Sequence, residues 1–193
     1  MTLAGLQLTM NAMLPQEARQ PSAPGRVWKY GDGVNTDVLF PGKYTYTLRA
    51  AADIAAHALE DLDPVFTAKA VAGDVIVAGR NFGNGSSREQ AVTCLMYRGV
   101  AAVVARSFAR IYFRNGINQG LLLITCAAVV DAAQTGDAIE IDLAHSVIRL
   151  NGEAHAFPPL SPNTRSIIAA GGLVAHVRHK LGLSTTAEVK FTD

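Results

Sequence analysis

The sequence comprises 193 residues, of which 49% are apolar and 17% are charged, and its formal net charge is +1. This composition predicts a globular protein with a sizeable hydrophobic core. Lysine and arginine are scattered rather than clustered, which argues against a nucleic-acid partner. The apolar runs fall far short of the ~20 residues of a membrane helix, and the N-terminal segment lacks the charged start of a signal peptide. We therefore expect a soluble, cytoplasmic protein that does not associate with membranes.

The first 24 residues differ in character from the rest of the chain. Residues 1–24 lack sustained hydrophobic periodicity and concentrate Pro, Gln and Ser toward their end. This pattern predicts an N-terminal tail or arm outside the main fold. Residues 25–193 are therefore expected to form one domain.

Apolar strands alternate with helical segments through the first part of that domain. The predicted strands cover residues 27–30, 74–78, 101–105 and 121–125. The predicted helices cover residues 51–59, 87–97 and 108–114. This alternation predicts an α/β fold built on a parallel or mixed sheet.

The last third of the domain has a different pattern, in which short strands follow one another. Residues 138–143 alternate strictly between apolar and polar, and residues 147–150 and 154–157 flank an Asn-Gly dipeptide. Asn-Gly is a strong signal for a two-residue hairpin turn. A closing helix is predicted at residues 173–181.

The cysteines and histidines do not have the spacing of a metal site. Cys94 and Cys126 are far apart and have no second ligand nearby, so we expect two buried thiols rather than a disulfide or a metal centre. His176 and His179 are three residues apart on the predicted closing helix, but no third ligand has a matching spacing. No metal is therefore predicted for this chain.

A glycine-rich polar stretch, GRNFGNGSSREQ at residues 79–90, follows the second predicted strand and leads into a helix. Such a loop lies at the carboxyl edge of an open α/β sheet, where ligands bind. Its glycines at positions 79, 83 and 85 permit backbone conformations closed to other residues, and they let a ligand approach the main chain. The position and the composition together predict a binding site.

This stretch has both a structural and a functional interpretation. Ser86 and Glu89 have the S-x-x-E spacing of a capping box, with Ser86 as the N-cap of the following helix. A cap requires only one serine, however, and Ser87 and Arg88 add a second hydroxyl and a guanidinium beside the free amides. This combination favours an anion site in which Arg88 binds a carboxylate through two parallel hydrogen bonds.

Phosphate is the rival anion for such a loop. The Walker pattern requires glycine followed by Lys and then Ser or Thr, whereas Gly85 is followed by two serines and Arg88. The dinucleotide fingerprint requires a third glycine at the position of Arg88. A carboxylate ligand therefore agrees best with the sequence.

Four blocks of the sequence resemble the aconitase superfamily, in particular its isopropylmalate dehydratase small-subunit family. They are NTDVLFPG at 35–42, GRNFGNGSSRE at 79–89, SFARI at 107–111 and NQGLL at 118–122. The blocks occur in the order that is typical of the family. The later hairpin region resembles the family less distinctively, and residues 1–24 lie outside the resemblance.

The resemblance implies a swivelling β/β/α domain that closes on a separate large subunit, in a heterodimer or heterotetramer. That large subunit would carry a 4Fe-4S cluster, and this chain alone would bind no cofactor. By the same resemblance, Ser86 is the catalytic base that removes a proton from the carbon beside a carboxylate, while Ser87 and Arg88 bind a substrate carboxylate. Thr36 and Asp37 match the family's Thr-Asp motif and are assigned to substrate binding.

Some positions depart from the family pattern and bear on substrate specificity. Asn84 replaces a cysteine, and Gln90 replaces a histidine. The loop KYTYTLR at residues 43–49 corresponds to the segment that recognises the variable group of the substrate. Tyr46 suits an alkyl group such as isopropyl, whereas homoaconitate-type enzymes have an arginine there. Arg49 is a second candidate for substrate contact, because aconitases have an arginine at a similar distance beyond the Thr-Asp motif.

These features predict the small subunit of a hydro-lyase that isomerises a small hydroxy acid, 2-isopropylmalate, to 3-isopropylmalate by dehydration and rehydration in leucine biosynthesis. The small subunit of a homoaconitase, or of a citramalate or dimethylmalate dehydratase, is a related alternative. A non-catalytic module that binds a carboxylate or a phosphate is the alternative from a different class. Arg106 and Arg110 are predicted to have structural roles or to contact the large subunit.

Overall fold

The computed structural model describes residues 24–183. The predicted N-terminal tail therefore lies almost entirely outside the described residues. The strands are β1 (Gly25–Lys29), β2 (Val75–Ala78), β3 (Ala102–Ala105), β4 (Leu122–Thr125), β5 (Ala138–Asp142), β6 (Val147–Leu150) and β7 (Glu153–Ala156). The helices are α1 (Thr36–Leu39), α2 (Ala51–Ala56), α3 (Pro64–Lys69), α4 (Gln90–Arg98), α5 (Arg110–Gln119), α6 (Ala127–Ala132), α7 (Pro162–Ala169) and α8 (Leu173–Lys180). A 3-10 turn covers Gly42–Tyr44.

The strands form one seven-stranded mixed sheet in the order β4-β3-β2-β1-β5-β6-β7. The first four strands along the chain pair in parallel, with Val27 opposite Val75 and Val75 opposite Ala102. β1 also pairs with β5 in the antiparallel direction, and β5, β6 and β7 continue as an antiparallel meander. The sequence-based predictions of a mixed sheet and of a C-terminal hairpin region are therefore confirmed.

The hydrophobic core lies on both faces of the parallel half of the sheet. Every residue of β2 and β3 is buried, which explains why these strands are continuous apolar runs rather than alternating ones. α6 packs against β2 and β3, while α5 packs against β4. This packing fixes the position of the carboxyl edge of these strands.

All four predicted helices have somewhat different bounds in the structure, and those predicted at residues 51–59 and 108–114 differ most. The helix predicted to end at residue 114 continues to Gln119. Gly116 lies inside this helix, where a side chain would collide with Leu123. Close packing against Leu123 therefore explains why glycine, which has a low helix propensity, occupies this position. The helix predicted at residues 51–59 ends at Ala56, and Leu59 adopts a left-handed φ of 57°. The short helices α1, α3, α6 and α7 were not predicted.

Every helix within residues 24–183 is too short or too polar to cross a bilayer.

Candidate active site

The loops that follow β1, β2 and β3 meet at the carboxyl edge of the parallel strands. The amide of Gly83 donates a hydrogen bond to the carbonyl of Val34 at 2.7 Å. The amide of Phe82 donates to the carbonyl of Ser107 at 3.0 Å. The glycine-rich stretch is therefore bonded on one side to the loop after β1 and on the other side to the loop after β3.

Two glycines allow this close approach of main chain to its neighbours. Gly83 has a φ of 77°, and a side chain there would overlap the ring of Tyr112, which is buried in the core. Gly85 has a φ of 103°, and a Cβ atom there would lie 2.9 Å from Oγ1 of Thr36. Both positions combine a left-handed backbone with a tight contact, so they require glycine.

Thr36 anchors the backbone of the serine pair. Its side chain is buried, with 1% of the residue exposed, and its Oγ1 accepts a hydrogen bond from the amide of Ser86 at 2.8 Å. Its own amide donates to the carbonyl of Asn84 at 2.8 Å. The first residue of the Thr-Asp motif therefore lies beneath the loop and fixes the position of Ser86.

Asn35 explains the orientation of the neighbouring Asp37. The Oδ1 atom of Asn35 accepts hydrogen bonds from the amides of Asp37 and Val38, at 2.9 and 3.1 Å, and caps α1. The turn is thus stabilised by the asparagine, as its sequence position indicates. The carboxylate of Asp37 is left to contact Arg88.

The guanidinium of Arg88 is held by two residues from outside the glycine-rich stretch. Nη2 forms an ion pair with Oδ1 of Asp37, and Nη1 donates a hydrogen bond to Oγ1 of Thr45 at 3.2 Å. The side chain of Arg88 is 18% exposed, whereas that of Asp37 is 69% exposed. Arg88 therefore presents a fixed and partly desolvated cation next to the serine pair.

Ser86 and Ser87 are both exposed on the loop. The prediction that Ser86 is the N-cap of the following helix is wrong, because α4 begins only at Gln90 and its N-cap is Glu89, which makes no side-chain capping bond. Ser86 Oγ instead accepts a hydrogen bond from the amide of Arg88 at 3.3 Å. The tertiary bonds to Thr36 and Asp37 hold residues 86–88 away from a helical path.

A cleft of about 830 Å³ opens beside Ser87, between the glycine-rich stretch and α5. The side chain of Asn115 donates to the carbonyl of Ser87 at 3.0 Å and fixes this wall. Arg110 and Arg114 line the opposite wall and are exposed, together with Ile111, which is 56% exposed. Each of these groups is available to a molecule that enters the cleft from outside.

Tyr46 and Arg49 are not brought next to the serine pair in this structure. Tyr46 is 87% exposed, on the loop that follows the 3-10 turn. Arg49 lines a separate cleft of about 280 Å³ together with Glu89 and Gln90. The structure therefore collects Thr36, Asp37 and residues 86–88 at one place, and it leaves the loop of residues 43–49 along their border.

The cysteines lie in the core, as predicted. Cys94 and Cys126 are both free and buried. Burial raises the pKa of the Cys94 thiol well above its ordinary value, so this sulfur stays protonated at neutral pH. Between residues 24 and 183 there is also no group of three or more His, Cys, Asp or Glu side chains that could hold a metal ion.

Sequence reasoning missed several residues that build the site. Thr45 and Asn115 contact Arg88 and Ser87 from distant parts of the chain, and no local pattern marks them. Tyr112 supports Gly83 from below, and its hydroxyl donates to the carbonyl of Ala91 at 3.1 Å. The sequence signal for the burial of Tyr112 was its place between two apolar residues, Ile111 and Phe113.

The assembled residues can bind a carboxylate and place a hydroxyl beside it. Arg88 supplies a positioned guanidinium, which recognises carboxylates through charge-assisted hydrogen bonds. Ser86 and Ser87 lie on the same loop and are both exposed. This arrangement suits proton transfer at a carbon next to a carboxylate, provided that water is excluded by a second surface.

Comparison with known proteins places the chain in a family. The model of the aconitase C-terminal domain matches residues 36–129. The 3-isopropylmalate dehydratase small subunits of Halothermothrix orenii and Aquifex aeolicus are 45% and 44% identical to the chain, over 80% and 81% of its length and 94% and 95% of theirs.

A solved structure agrees with these sequence matches. The crystal structure of 3-isopropylmalate dehydratase from Methanocaldococcus jannaschii has a TM-score of 0.77 and 42% identity, and the match covers 82% of this chain and 95% of that one. The aconitase-type α/β fold that the sequence predicts is thereby confirmed. The chain belongs to the family of 3-isopropylmalate dehydratase small subunits, within the aconitase superfamily.

Proposed function

We propose that this chain is the small subunit of a 3-isopropylmalate dehydratase, which converts 2-isopropylmalate to 3-isopropylmalate in the cytoplasm as a step of leucine biosynthesis. The observation that carries the proposal is the exposed serine pair beside a guanidinium fixed by Asp37 and Thr45. The names of the relatives support the same reaction. Their designation as small subunits supports assembly with a large subunit.

In this proposal the chain binds one end of the substrate and moves one proton. Arg88 and Ser87 hold a carboxylate, and Oγ of Ser86 takes the proton from the adjacent carbon as the bond between the neighbouring carbon and its hydroxyl breaks. The proton and the hydroxide released from the substrate together make up the water that leaves. Rehydration of the same double bond, with the hydroxyl and the proton exchanged between the two carbons, gives the isomer. The 4Fe-4S cluster that we assign to the large subunit would supply the Lewis acid for the departing hydroxyl.

The free energy needed to deprotonate the hydroxyl of Ser86 explains why it requires a partner surface. A free hydroxyl has a pKa far above neutrality, and lowering that pKa by roughly 8 units would cost about 11 kcal/mol. The amide of Arg88 is the one donor to its Oγ within the described residues, and a hydrogen bond to a charged group contributes about 1.5–3 kcal/mol. The remainder must come from desolvation and from charges supplied when the large subunit closes over the loop.

The test is to replace Ser86 by alanine and assay the chain in complex with its cluster-bearing large subunit. Loss of a general base lowers kcat by about 10²- to 10⁴-fold, while the inhibition constant of an unreactive dicarboxylate should change little. Ser166→Ala is the matched control, because Ser166 is exposed on α7 and its hydroxyl donates only to a carbonyl of its own helix. An isolated small subunit that turns over 2-isopropylmalate, or a Ser86→Ala complex of normal kcat, would contradict the proposal.

A further inference from the structure

The loop that follows the Thr-Asp motif makes direct contact with Arg88. Nη1 of Arg88 donates to Oγ1 of Thr45 at 3.2 Å, and Nε2 of Gln90 donates to the carbonyl of Thr45 at 3.4 Å. A Cβ atom at Gly42 would lie 2.7 Å from the same Nη1 atom. Residues 42–45 therefore form a surface that fits closely around one end of the guanidinium.

This surface completes the placement of a flexible side chain. Asp37 holds Nη2, and Thr45 holds Nη1, so the plane of the guanidinium is set by two contacts on different segments of the chain. A planar guanidinium that is already oriented loses less freedom when it binds a carboxylate. The Asp37 contact alone would leave the guanidinium free to rotate about that ion pair.

The neighbouring Thr47 provides a comparison within the same loop. Its Oγ1 donates to the carbonyl of Tyr44 at 3.4 Å, which is a local contact of the turn. Thr45 lies half-buried and turns its hydroxyl toward Arg88, whereas Thr47 is exposed. Substitutions at the two threonines therefore distinguish loss of the contact with the guanidinium from a general effect on the loop.

We propose that Thr45 is a positioning residue that, together with the open space at Gly42, orients the guanidinium of Arg88 for the substrate carboxylate. The loop of residues 43–49 and the carboxylate site are then coupled through this one hydrogen bond. The inference rests on the proposed function, because it takes Arg88 as the group that binds the carboxylate.

The experiment uses the complete complex of small and large subunits with 2-isopropylmalate. Thr45→Val removes the acceptor at nearly constant volume, and the expected result is a KM raised by roughly tenfold, equivalent to about 1.4 kcal/mol, with kcat within about twofold of wild type. Thr45→Ser should restore the wild-type KM. Gly42→Ala displaces Nη1 by a different route and should raise KM in the same direction.

Two further measurements distinguish orientation of Arg88 from a change in the loop. Thr47→Val removes only a local contact of the turn, so it should raise KM by less than Thr45→Val does. In an Arg88→Met background, Thr45→Val should lower kcat/KM by less than about twofold, because the group through which it acts is absent. Equal KM values for wild type and Thr45→Val, failure of the serine variant to restore KM, or a full effect in the Arg88→Met background would overturn the inference.

The failure of this inference differs from the failure of the proposed function. A wild-type complex that does not isomerise 2-isopropylmalate would overturn the proposed function and this inference with it. A wild-type complex that is active and a Thr45→Val complex that has the same KM would overturn the inference alone.

Discussion

Arg88 shows how one side chain can join distant parts of a sequence. Its contacts reach Asp37 and Thr45, which are 51 and 43 positions away. The resemblance of its motif to a known family identified Arg88 and Asp37 as candidates, and the structure brings them together as an ion pair. Thr45 was not identified, because a threonine in a polar loop gives no local signal of the guanidinium that it will meet in the fold.

We expect Cys94 to make the stability of the protein sensitive to alkaline pH. Its thiol is buried, donates to the carbonyl of Leu39 at 3.4 Å, and has a pKa raised by burial. A raised pKa in the folded state contributes stability that is complete below the pKa of the unfolded thiol, about 8.5, and that is lost as pH rises further. Between about pH 9 and pH 10 this group should lower the free energy of unfolding by about 1.36 kcal/mol per pH unit.

The measurement is urea denaturation at several pH values for wild type and Cys94→Ala. The alanine variant should show a shallower decline over this range, because it has no thiol to ionise in the unfolded chain. Its absolute stability will be lower at neutral pH, so the slope rather than the free energy itself is the quantity compared. Identical slopes in the two proteins would contradict the assignment.

The glycine-rich stretch is the element whose conformation the sequence predicted least well. Its glycines and its place after a buried strand were read correctly, yet the serine that fits a capping box lies outside α4. The capping pattern is local, whereas the bonds of Ser86 to Thr36 and of Arg88 to Asp37 come from another segment and override it. The buried strands were predictable because their apolar runs do not depend on such contacts.

Gly83 tests how strongly this element depends on the core beneath it. Gly83→Ala forces a side chain into a left-handed backbone and into the ring of Tyr112. The backbone term costs about 1–2 kcal/mol, and overpacking adds about 1–3 kcal/mol. Gly152→Ala is the control, since Gly152 has a φ of 87° and a side chain there would meet nothing within 4 Å.

Urea denaturation of both glycine variants separates the cost of the left-handed backbone from the cost of overpacking. Because both variants carry the backbone term, we expect Gly83→Ala to lose about 1–3 kcal/mol more than Gly152→Ala. Equal losses would mean that Tyr112 moves aside freely, so the packing of the loop on the core would be looser than the structure indicates.

The loop of residues 43–49 is the element expected to select the substrate. Tyr46 is 87% exposed there and is free to meet a substrate group once the large subunit closes over the loop. Tyr46→Arg would offer a charge to a third carboxylate, and hydrogen bonds to charged groups contribute about 1.5–3 kcal/mol. The ratio of kcat/KM for a tricarboxylate such as homoaconitate to that for isopropylmalate should therefore rise at least about tenfold.

A substrate panel measured with wild type, Tyr46→Arg and Tyr46→Phe checks this prediction. The phenylalanine variant retains the aromatic ring and should keep the wild-type preference. An unchanged ratio in Tyr46→Arg would show that Tyr46 does not take part in substrate recognition.

At the scale of the whole molecule, α5 carries a charge that the rest of the structure leaves unneutralised. Arg110 and Arg114 are one turn apart and exposed, and residues 24–183 provide no carboxylate that pairs with either of them. Arg106, by contrast, pairs with Asp131 within the chain, which supports its structural role. Like charges four residues apart destabilise a helix by about 0.2–0.5 kcal/mol, so we expect the large subunit to present acidic groups to Arg110 and Arg114.

Replacing both Arg110 and Arg114 by glutamate should weaken assembly with the large subunit by at least about tenfold, because like charges across an interface are repulsive. The dissociation constant of the two subunits is measured by analytical ultracentrifugation at low and high salt, and the loss should shrink as salt screens the charges. Arg165→Glu is the control, since Arg165 is exposed on α7. Unchanged affinity would place the interface elsewhere.

The position of β1 inside the sheet has a consequence for synthesis of the protein. β1 pairs with β2 on one side, but Gly25 on its other side meets Ile139, which is translated 114 residues later. Until then, the growing chain carries an unpaired edge in the middle of its future sheet, and such edges invite association with other nascent chains. A pause in translation before β5 would therefore prolong the exposure of this edge and favour aggregation.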